Sequence, residues 1–440
     1  MDRLRYNTLR IGIAVFERLR LRLTPAGWLI LGFWLVAGAM GIDPTQSTAY
    51  QAFGLLTGIW LVSLCSLFFF QPRLQVSRRL PRFASAGEPL RYRWSIVNEG
   101  PELADVILRD SVEHRVPSYE LFCAANGYRD ESRTFVERFF GYGRWRALIR
   151  RTAARTEFAE VPFAKTGARV EAYGKITPAC RGRLELKGAL ATRVGPLGLM
   201  RSLVMIPVPD RVLVLPKRYP VGRLDMPGSA RFQPGGVALA SRIGESPEFA
   251  GLREYRPGDP LRRIDWKSWA KEGRPIVREY HDEQFVRHAL VLDTFVPAAR
   301  EDLFEEAVSV ASSFAQSLLT QESLLDLLFV VDQAYCVTAG RGLGTSEQML
   351  EVLAGVQRCE DQDIATLEAS VARRRDVLTG CIFILTAYDE ARRSLVASLE
   401  AVGVPTRTFV ICEPGEGDPA AWGPSVRRLE MGRIAEGLAS

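Results

Sequence analysis

The hydrophobic and polar positions change rhythm several times along the chain. Residues 26–42, AGWLILGFWLVAGAMGI, carry no charge, and neither do residues 49–70, AYQAFGLLTGIWLVSLCSLFFF. As helices rising 1.5 Å per residue, the first run is about 25 Å long and the second covers the ~30 Å of a bilayer's hydrocarbon. Thr24-Pro25 supplies an N-cap and a first-turn proline. The short link around Asp43, Pro44 and Thr45 predicts an antiparallel hairpin, with Trp28, Trp34 and Tyr50 as candidate interface residues. A signal peptide does not fit, because the second run is long and is followed at once by arginines.

From residue 73 to about 216 the period becomes two. The runs 90–98, 104–112, 168–176, 182–193 and 211–216 alternate apolar and polar residues. Turn clusters bound them at 98–101, 178–182 and 195–198. This spacing predicts an antiparallel, immunoglobulin-like β-sandwich. Segment 119–165 does not follow the pattern. Its basic-aromatic run, with Arg144, Arg146, Arg150, Arg151 and Arg155, reads either as a surface against lipid or a partner, or as an insertion packed on the sandwich.

After residue 285, buried-strand runs at 286–294, 324–332, 380–388 and 404–412 alternate with helical periods at 301–320, 344–359 and 391–403. Residues 334–340 read as a hairpin partner of the second strand. Alternation of this kind predicts a mostly parallel, doubly wound, Rossmann-like sheet, whose ligands lie beyond the carboxyl ends of the strands. Thr345 or Ser346 is expected at a helix N-cap.

One stretch has neither period. Residues 244–283 read GESPEFAGLREYRPGDPLRRIDWKSWAKEGRPIVREYHDE, with acids and bases interleaved and Trp266 and Trp269 three apart. Such a stretch is a structured connector or a site. The expected arrangement is an ion-pair network in which Arg253, Arg263 and Lys267 meet Glu248, Asp259 and Asp265. The two tryptophans would anchor the strap to a domain face, and the strap would clasp the sandwich to the α/β domain.

Charge refines the picture. The 440-residue chain carries a net charge of +6. Within 244–283 acids and bases cancel, so the stretch offers little field for tracking phosphates, and no nucleic acid is expected. Arg3, Arg5, Arg10, Arg18, Arg20 and Arg22 precede the first apolar run. Arg73, Arg78, Arg79 and Arg82 follow the second, and the link between the runs has none. The positive-inside rule then places both the N-terminus and the large C-terminal part in the cytoplasm. Seven scattered cysteines without Cys-x-x-Cys spacing suit free thiols in a reducing compartment.

Candidate chemistry is sparse. No phosphate cradle of the G-x-x-x-x-G-K-[ST] or G-x-G-x-x-G kind is present, and GRGLGTSE (340–347) reads as a turn into a capped helix. Asp293, Thr345 and Asp389 are weak candidates for a divalent metal, being hard oxygen ligands at or beyond strand ends. His281 has no G-x-S-x-G partner motif and reads as structural. No cofactor is expected. A rival reading makes the strap an enzyme site of hydrolase type. Glu254, Asp259 and Asp265 would supply its carboxylates, and Arg253 and Arg263 its anion clamps.

The strap also carries a resemblance. Glu248-Phe249, Leu252-Arg253-Glu254-Tyr255, Pro257-Gly258-Asp259, Arg263-Ile264-Asp265-Trp266-Lys267 and Ala270 together resemble the hallmark of the domain-of-unknown-function 58 (DUF 58) family. Residues 181–202 resemble the stretch before that family's Asp-Pro-Phe-Gly element, from which Val194 to Gly198 depart. The resemblance implies a membrane hairpin, a β-rich domain and a degenerate von Willebrand factor A-like domain. It implies no established enzyme activity. It does imply work beside a MoxR-type AAA+ ATPase and other von Willebrand A-like proteins, in envelope assembly, stress response or protein maturation. In a von Willebrand A fold the metal motif is Asp-x-Ser-x-Ser, and here Phe295 and Pro297 replace both serines.

The expected organisation is therefore a basic N-terminus (1–24), a two-helix hairpin (25–72), a sandwich (73–216) with an insertion (119–165), the charged strap (217–285) and an α/β domain (286–440). The expected function is a non-enzymatic adaptor in the bacterial inner membrane, with a purely structural envelope role as a further alternative.

Overall fold

The structure, a computed structural model, describes residues 2–40, 47–69, 72–112, 119–124, 145, 148–149, 154–222, 249–259, 261–280, 286–297, 300–318, 323–340, 343–359, 362–417, 422–423 and 425–439. The chain divides into two compact units, parting near Lys217.

The first unit opens on helix α1 (Asp2–Arg22), followed by α2 (Pro25–Met40) and α3 (Ser47–Ser66), which runs on as a short 3-10 turn, Leu67–Phe69. The sequence reading took residues 1–24 only as a basic segment. Its Tyr6, Leu9 and Ile13 recur at helical spacing, and they close a small cluster with Phe122, Trp145 and Leu148. Thr48–Phe69 is a helix of 22 residues, long and apolar enough to cross a membrane, while Pro25–Met40 is apolar but shorter. The two pack together. The Trp34 indole lies on the Phe53 ring with centroids 5.4 Å apart, and its N–H donates to the Thr57 hydroxyl at 2.9 Å. The link around Asp43 lies outside the described residues.

Helix α2 is seated by its first turn. The Thr24 hydroxyl accepts from the Gly27 N–H at 3.0 Å and donates to the Gly198 carbonyl at 2.6 Å. A Cβ on Gly27 would stand 2.2 Å from the Leu199 carbonyl oxygen, so only glycine permits this approach. The turn 195–198, read from sequence as a simple strand boundary, is thus the footing of α2.

Two sheets enclose one core. The first has the order β1-β3-β7-β5 and the second β2-β9-β8-β4-β6. The strands are β1 (Leu74–Arg79), β2 (Phe83–Ser85), β3 (Leu90–Asn98), β4 (Val106–Val112), β5 (Ala154–Thr156), β6 (Ala159–Glu160), β7 (Arg169–Pro178), β8 (Gly182–Val194) and β9 (Arg201–Leu215). Alternate residues face inward, among them Trp94, Ile96, Leu108 and Ile176, all essentially without solvent contact. All pairings between these strands are antiparallel except β2 with β9, which is parallel. Strands β3, β4, β7 and β8 lie where the alternation predicts them. The expected strand 211–216 is only the end of the long β9, and β1, β2, β5 and β6 were not foreseen. Strands β5 and β6 belong to the segment 119–165, so that part joins the sheets, and Phe122 of its short helix α4 (Tyr119–Ala124) and its Trp145 pack on α1. Arg144, Arg146, Arg150 and Arg151 lie outside the described residues.

One core residue overturns a charge assignment. Arg78, counted among the orienting arginines, turns inward from β1. Its side chain is fully buried beside Asp110 of β4, donates to the Val208 carbonyl at 2.6 Å and lies 5.3 Å over the Trp94 ring. The pair ties one sheet to the other across the core.

The second unit is built on a six-stranded sheet of order β14-β13-β12-β15-β16-β17. Its strands are β12 (Val286–Leu292), β13 (Ser323–Val330), β14 (Ala334–Ala339), β15 (Gly380–Leu385), β16 (Thr406–Cys412) and β17 (Val426–Glu430). All neighbours pair in parallel except β13 with β14, the antiparallel hairpin that the sequence pattern expects. Helices cover both faces. Helices α8 (Ile364–Ala372) and α9 (Glu390–Glu400) share a core with Val291, Phe383 and Val410. On the alternate face, Phe314 of α6 (Glu301–Leu318) meets Phe409 at 4.8 Å. The central strands are buried on both sides, which is why they read as continuous apolar runs rather than alternating ones. Helix α7 (Ser346–Gly355) starts at Thr345 with a complete capping box, whose reciprocal partner is Gln348. The short helix α10 (Ile434–Ala439) follows the last strand. All seven cysteines are free thiols, and Cys359, Cys381 and Cys412 are buried.

Candidate functional site: the charged strap

The strap folds as a small unit of its own within the second unit. Strand β10 (Phe249–Glu254) pairs antiparallel with β11 (Ile276–Tyr280), through a register shift between Phe249 and Gly251. Between them run a turn, a 3-10 segment (Leu261–Arg263) and helix α5 (Trp266–Glu272). A handful of apolar side chains suffices to hold it: Ile264 bridges to Val277, and both are buried with Ile276. Most other positions face solvent, so no amphipathic period shows in the sequence.

Each described carboxylate of the strap has a structural partner. In the Arg256-Pro257-Gly258-Asp259 turn, Gly258 sits at φ 108°, a conformation that favours glycine. Asp259 accepts two bonds from the Arg253 guanidinium, at 2.7 and 2.8 Å, and one from the Arg256 backbone N–H at 2.8 Å. This fork, with the backbone bond, holds the Asp259 carboxyl down to about 2. Asp265 caps α5, accepting from the Lys267 and Ser268 N–H groups at 3.1 and 3.4 Å. Its other oxygen accepts from the Arg278 Nε at 3.0 Å, the main reason its carboxyl lies below the usual range. Helix α5 ends on Gly273 at φ 71°. Glu254 pairs with Arg274.

Two expectations are corrected here. Arg263 and Lys267 do not pair with Asp259 or Asp265, since Arg253 and Arg278 take those places. Trp266 does not anchor the strap: it is 65% exposed and stacks on Trp269, with centroids 5.2 Å apart and planes 20° from parallel. Leu252 and Leu261 are exposed as well, and Tyr255 is half-buried. Glu248 and His281 lie outside the described residues, and of Phe249 only the backbone is described. Arg256, Arg262, Arg263, Lys267 and Lys271 stand exposed and form no ion pair with any described residue. Among the described residues, Glu254, Asp259, Asp265 and Glu272 are held in internal pairs, and the stacked Trp266 and Trp269 share their helix with exposed Lys267 and Lys271.

The weak metal candidates do not assemble into a cation site. Asp293 is wholly buried at the end of β12, and both its oxygens are occupied. One accepts from the Thr386 N–H and hydroxyl at 3.0 and 2.7 Å and from the Arg392 Nε at 2.8 Å. The other accepts from the Phe295 N–H at 3.0 Å and the Arg392 Nη2 at 3.2 Å. Asp389 caps α9 and accepts from the Arg392 Nη1 at 2.5 Å. Thr345 is engaged in its own helix cap. The guanidinium of Arg392 thus stands between the two aspartates as their shared positive charge. The sequence reading missed it. The signal was an arginine three residues beyond Asp389, hence on the same face of the first helical turn. Among the described residues, no group of three or more His, Cys, Asp or Glu side chains is placed to hold a metal.

The comparisons with known proteins bear on this region. Residues 251–404 match the family described as Protein of unknown function DUF58. That stretch holds the strap from Gly251 onward and the sheet as far as β15. The Uncharacterized protein YeaD of Bacillus subtilis (strain 168) is 30% identical over 125 residues, which make up 28% of this chain and 30% of that protein. The match thus spans less than a third of that relative's length. Among solved structures, a cohesin module from a Clostridium perfringens ATCC13124 family 33 glycoside hydrolase is 8% identical. It aligns over 33% of this chain and 98% of its own, with a TM-score of 0.15. A GH20 exo beta-N-acetylglucosaminidase from Vibrio harveyi, in complex with N-acetylglucosamine, is 9% identical over 80% and 58% of the two chains, with a TM-score of 0.14. Scores this low carry no conclusion about fold or activity.

Proposed function

We propose that the protein is a non-enzymatic adaptor anchored in the bacterial inner membrane, and that the strap is its docking surface for a partner. The reading includes α2 and α3 as a transmembrane hairpin, an immunoglobulin-like sandwich and a von Willebrand A-like second unit. The observation that carries it is the Trp266–Trp269 stack, with Trp266 exposed and with exposed Lys267 and Lys271 on the same helix. A partly exposed aromatic pair with lysines on the same helix has the composition of an interface hot spot. Lys267 and Lys271 on that helix suit acidic groups on the partner, steering its approach. The DUF 58 resemblance names the class of partner, a MoxR-type AAA+ ATPase together with other von Willebrand A-like proteins. The basic residues flanking the apolar helices support a cytoplasmic N-terminus and a cytoplasmic C-terminal part.

The rival enzyme reading needs a strap carboxyl that exchanges protons near neutral pH. Asp259 and Asp265 are held ionised by arginines, and Asp265 is a helix cap, which suits structure better than acid–base work. The detergent-solubilised full chain should turn over no nucleotide, phosphate ester or peptide. Turnover abolished by Asp265→Asn would replace the adaptor reading with the enzymatic one.

A further inference from the structure

The first helix has two apolar faces, and the described residues cover only one of them. Tyr6 and Leu9 are buried against Phe122 and Trp145. Ile11, Val15, Phe16 and Leu19 are 65%, 48%, 55% and 41% exposed. At 3.6 residues per turn these four fall within an arc of roughly 140° beside the covered face. Arg10 and Arg18 are exposed beyond that arc, and Arg22 closes the helix. An uncovered apolar stripe with flanking arginines is the pattern of a helix lying in a membrane interface.

The occupant follows from what the stripe adjoins. Phe16 meets the ring of Trp28 at 6.1 Å, and Trp28 lies in the first turn of the apolar helix α2. The stripe therefore continues, through an aromatic contact, onto the lipid-compatible surface of α2 and α3, where Leu29, Phe33, Leu55 and Leu61 are also exposed. Only Leu23 and Thr24 separate α1 from α2, and both are fixed to the β8–β9 turn. We propose that α1 lies flat on a phospholipid leaflet, with Ile11, Val15, Phe16 and Leu19 among the acyl chains and the arginines at the headgroups. Tryptophan at the helix junction suits that depth. The helix would then be a plate between bilayer and β-sheets, holding the first unit at a set height through its Tyr6 cluster.

This inference rests on the reading that Thr48–Phe69 crosses the bilayer, and the experiment separates the two. The full chain is reconstituted in nanodiscs of phosphatidylethanolamine and phosphatidylglycerol. A benzophenone amino acid replaces Val15, Phe16, Asn7 or Leu61, one at a time, and adducts are identified by mass spectrometry after irradiation. Lipid adducts at Val15, Phe16 and Leu61, at least five-fold above Asn7, support the proposal. Adducts at Leu61 with none above the Asn7 level at Val15 and Phe16 overturn it and leave the anchor intact. Protein adducts from Val15 or Phe16 to a second copy of the chain overturn it as well. Loss of adducts at Leu61 overturns the anchor and the inference together. Hydroxyl-radical footprinting of the unsubstituted chain in the same discs must show Phe16 and Leu19 protected relative to Tyr119, and equal modification contradicts the proposal.

Discussion

Replacing Arg392 by leucine tests the central ion pair of the second unit. The substitution removes two bonds to Asp293, one to Asp389 and one to the Phe295 carbonyl. The two aspartates do not weigh equally. The Asp389 side chain is about half exposed, and a partner of that kind contributes at most about 1 kcal/mol. The Asp293 side chain has no solvent contact, and a buried charge that loses its partner costs about 3–5 kcal/mol. At a urea dependence of about 2 kcal/mol per molar, the unfolding midpoint of this unit should fall by about 2 M. Asp293→Asn in the same chain removes the stranded charge, and its one carbonyl oxygen still accepts from either the Thr386 or the Phe295 donors, which bond different oxygens of Asp293. The double variant should recover about 2–3 kcal/mol, read as coupling in a double-mutant cycle. The assay is a urea series on the detergent-solubilised full chain with pulsed hydrogen exchange, followed in peptides from β12, β15 and α9. A midpoint shift below 0.5 M (about 1 kcal/mol at that slope), or a double variant no better than the single, refutes the assignment of Arg392 as the counter-charge of Asp293.

Three further outcomes follow from the geometry. Burial pushes the Asp110 carboxyl up to about 7, with Arg78 pulling the other way. A raised folded-state value gives stability that is full below about 4 and lost as pH rises through about 7. Exchange protection of β1 and β4 should therefore fall between pH 4.5 and 7.5, and Asp110→Asn should flatten the slope; rising protection contradicts it. Gly27→Val places atoms against the Leu199 carbonyl, costing about 1–3 kcal/mol, so exchange at 195–200 should rise, and no change would show that α2 is not seated there. Asp265→Ala removes both the cap of α5 and the partner of Arg278, so α5 should exchange faster while β13 does not, and an unaltered α5 would refute the capping role.

Much of the fold was legible because burial writes period into sequence. Strand β3 alternates cleanly, and β15 and the second half of β12, Ala289 to Leu292, are unbroken apolar runs. Strand β1 was hidden because its arginines resembled a membrane-flanking cluster, and nothing local reveals that Arg78 turns inward. The start of β9 was hidden by Pro207 and Pro209, which the sheet accepts where its register shifts opposite Gly188. In the strap the residue types were legible and the partners were not. Glu254 meets Arg274 twenty residues away, and Asp265 meets Arg278 thirteen away, distances set by the β10–β11 register rather than by local spacing. Arg392 was missed for a related reason, since its partner Asp293 lies ninety-nine residues away, at the end of β12.

The claim that the strap docks a partner is tested most directly by affinity co-purification from native membranes, with the intact chain and a Trp266→Ser, Lys267→Glu variant as baits. Both side chains are exposed and unneeded for the strap's own ion pairs, so the variant should fold and remain in the membrane. The account predicts an AAA+ ATPase recovered with the intact chain and reduced at least ten-fold with the variant. Equal recovery with both baits, or no ATPase with either, would contradict it.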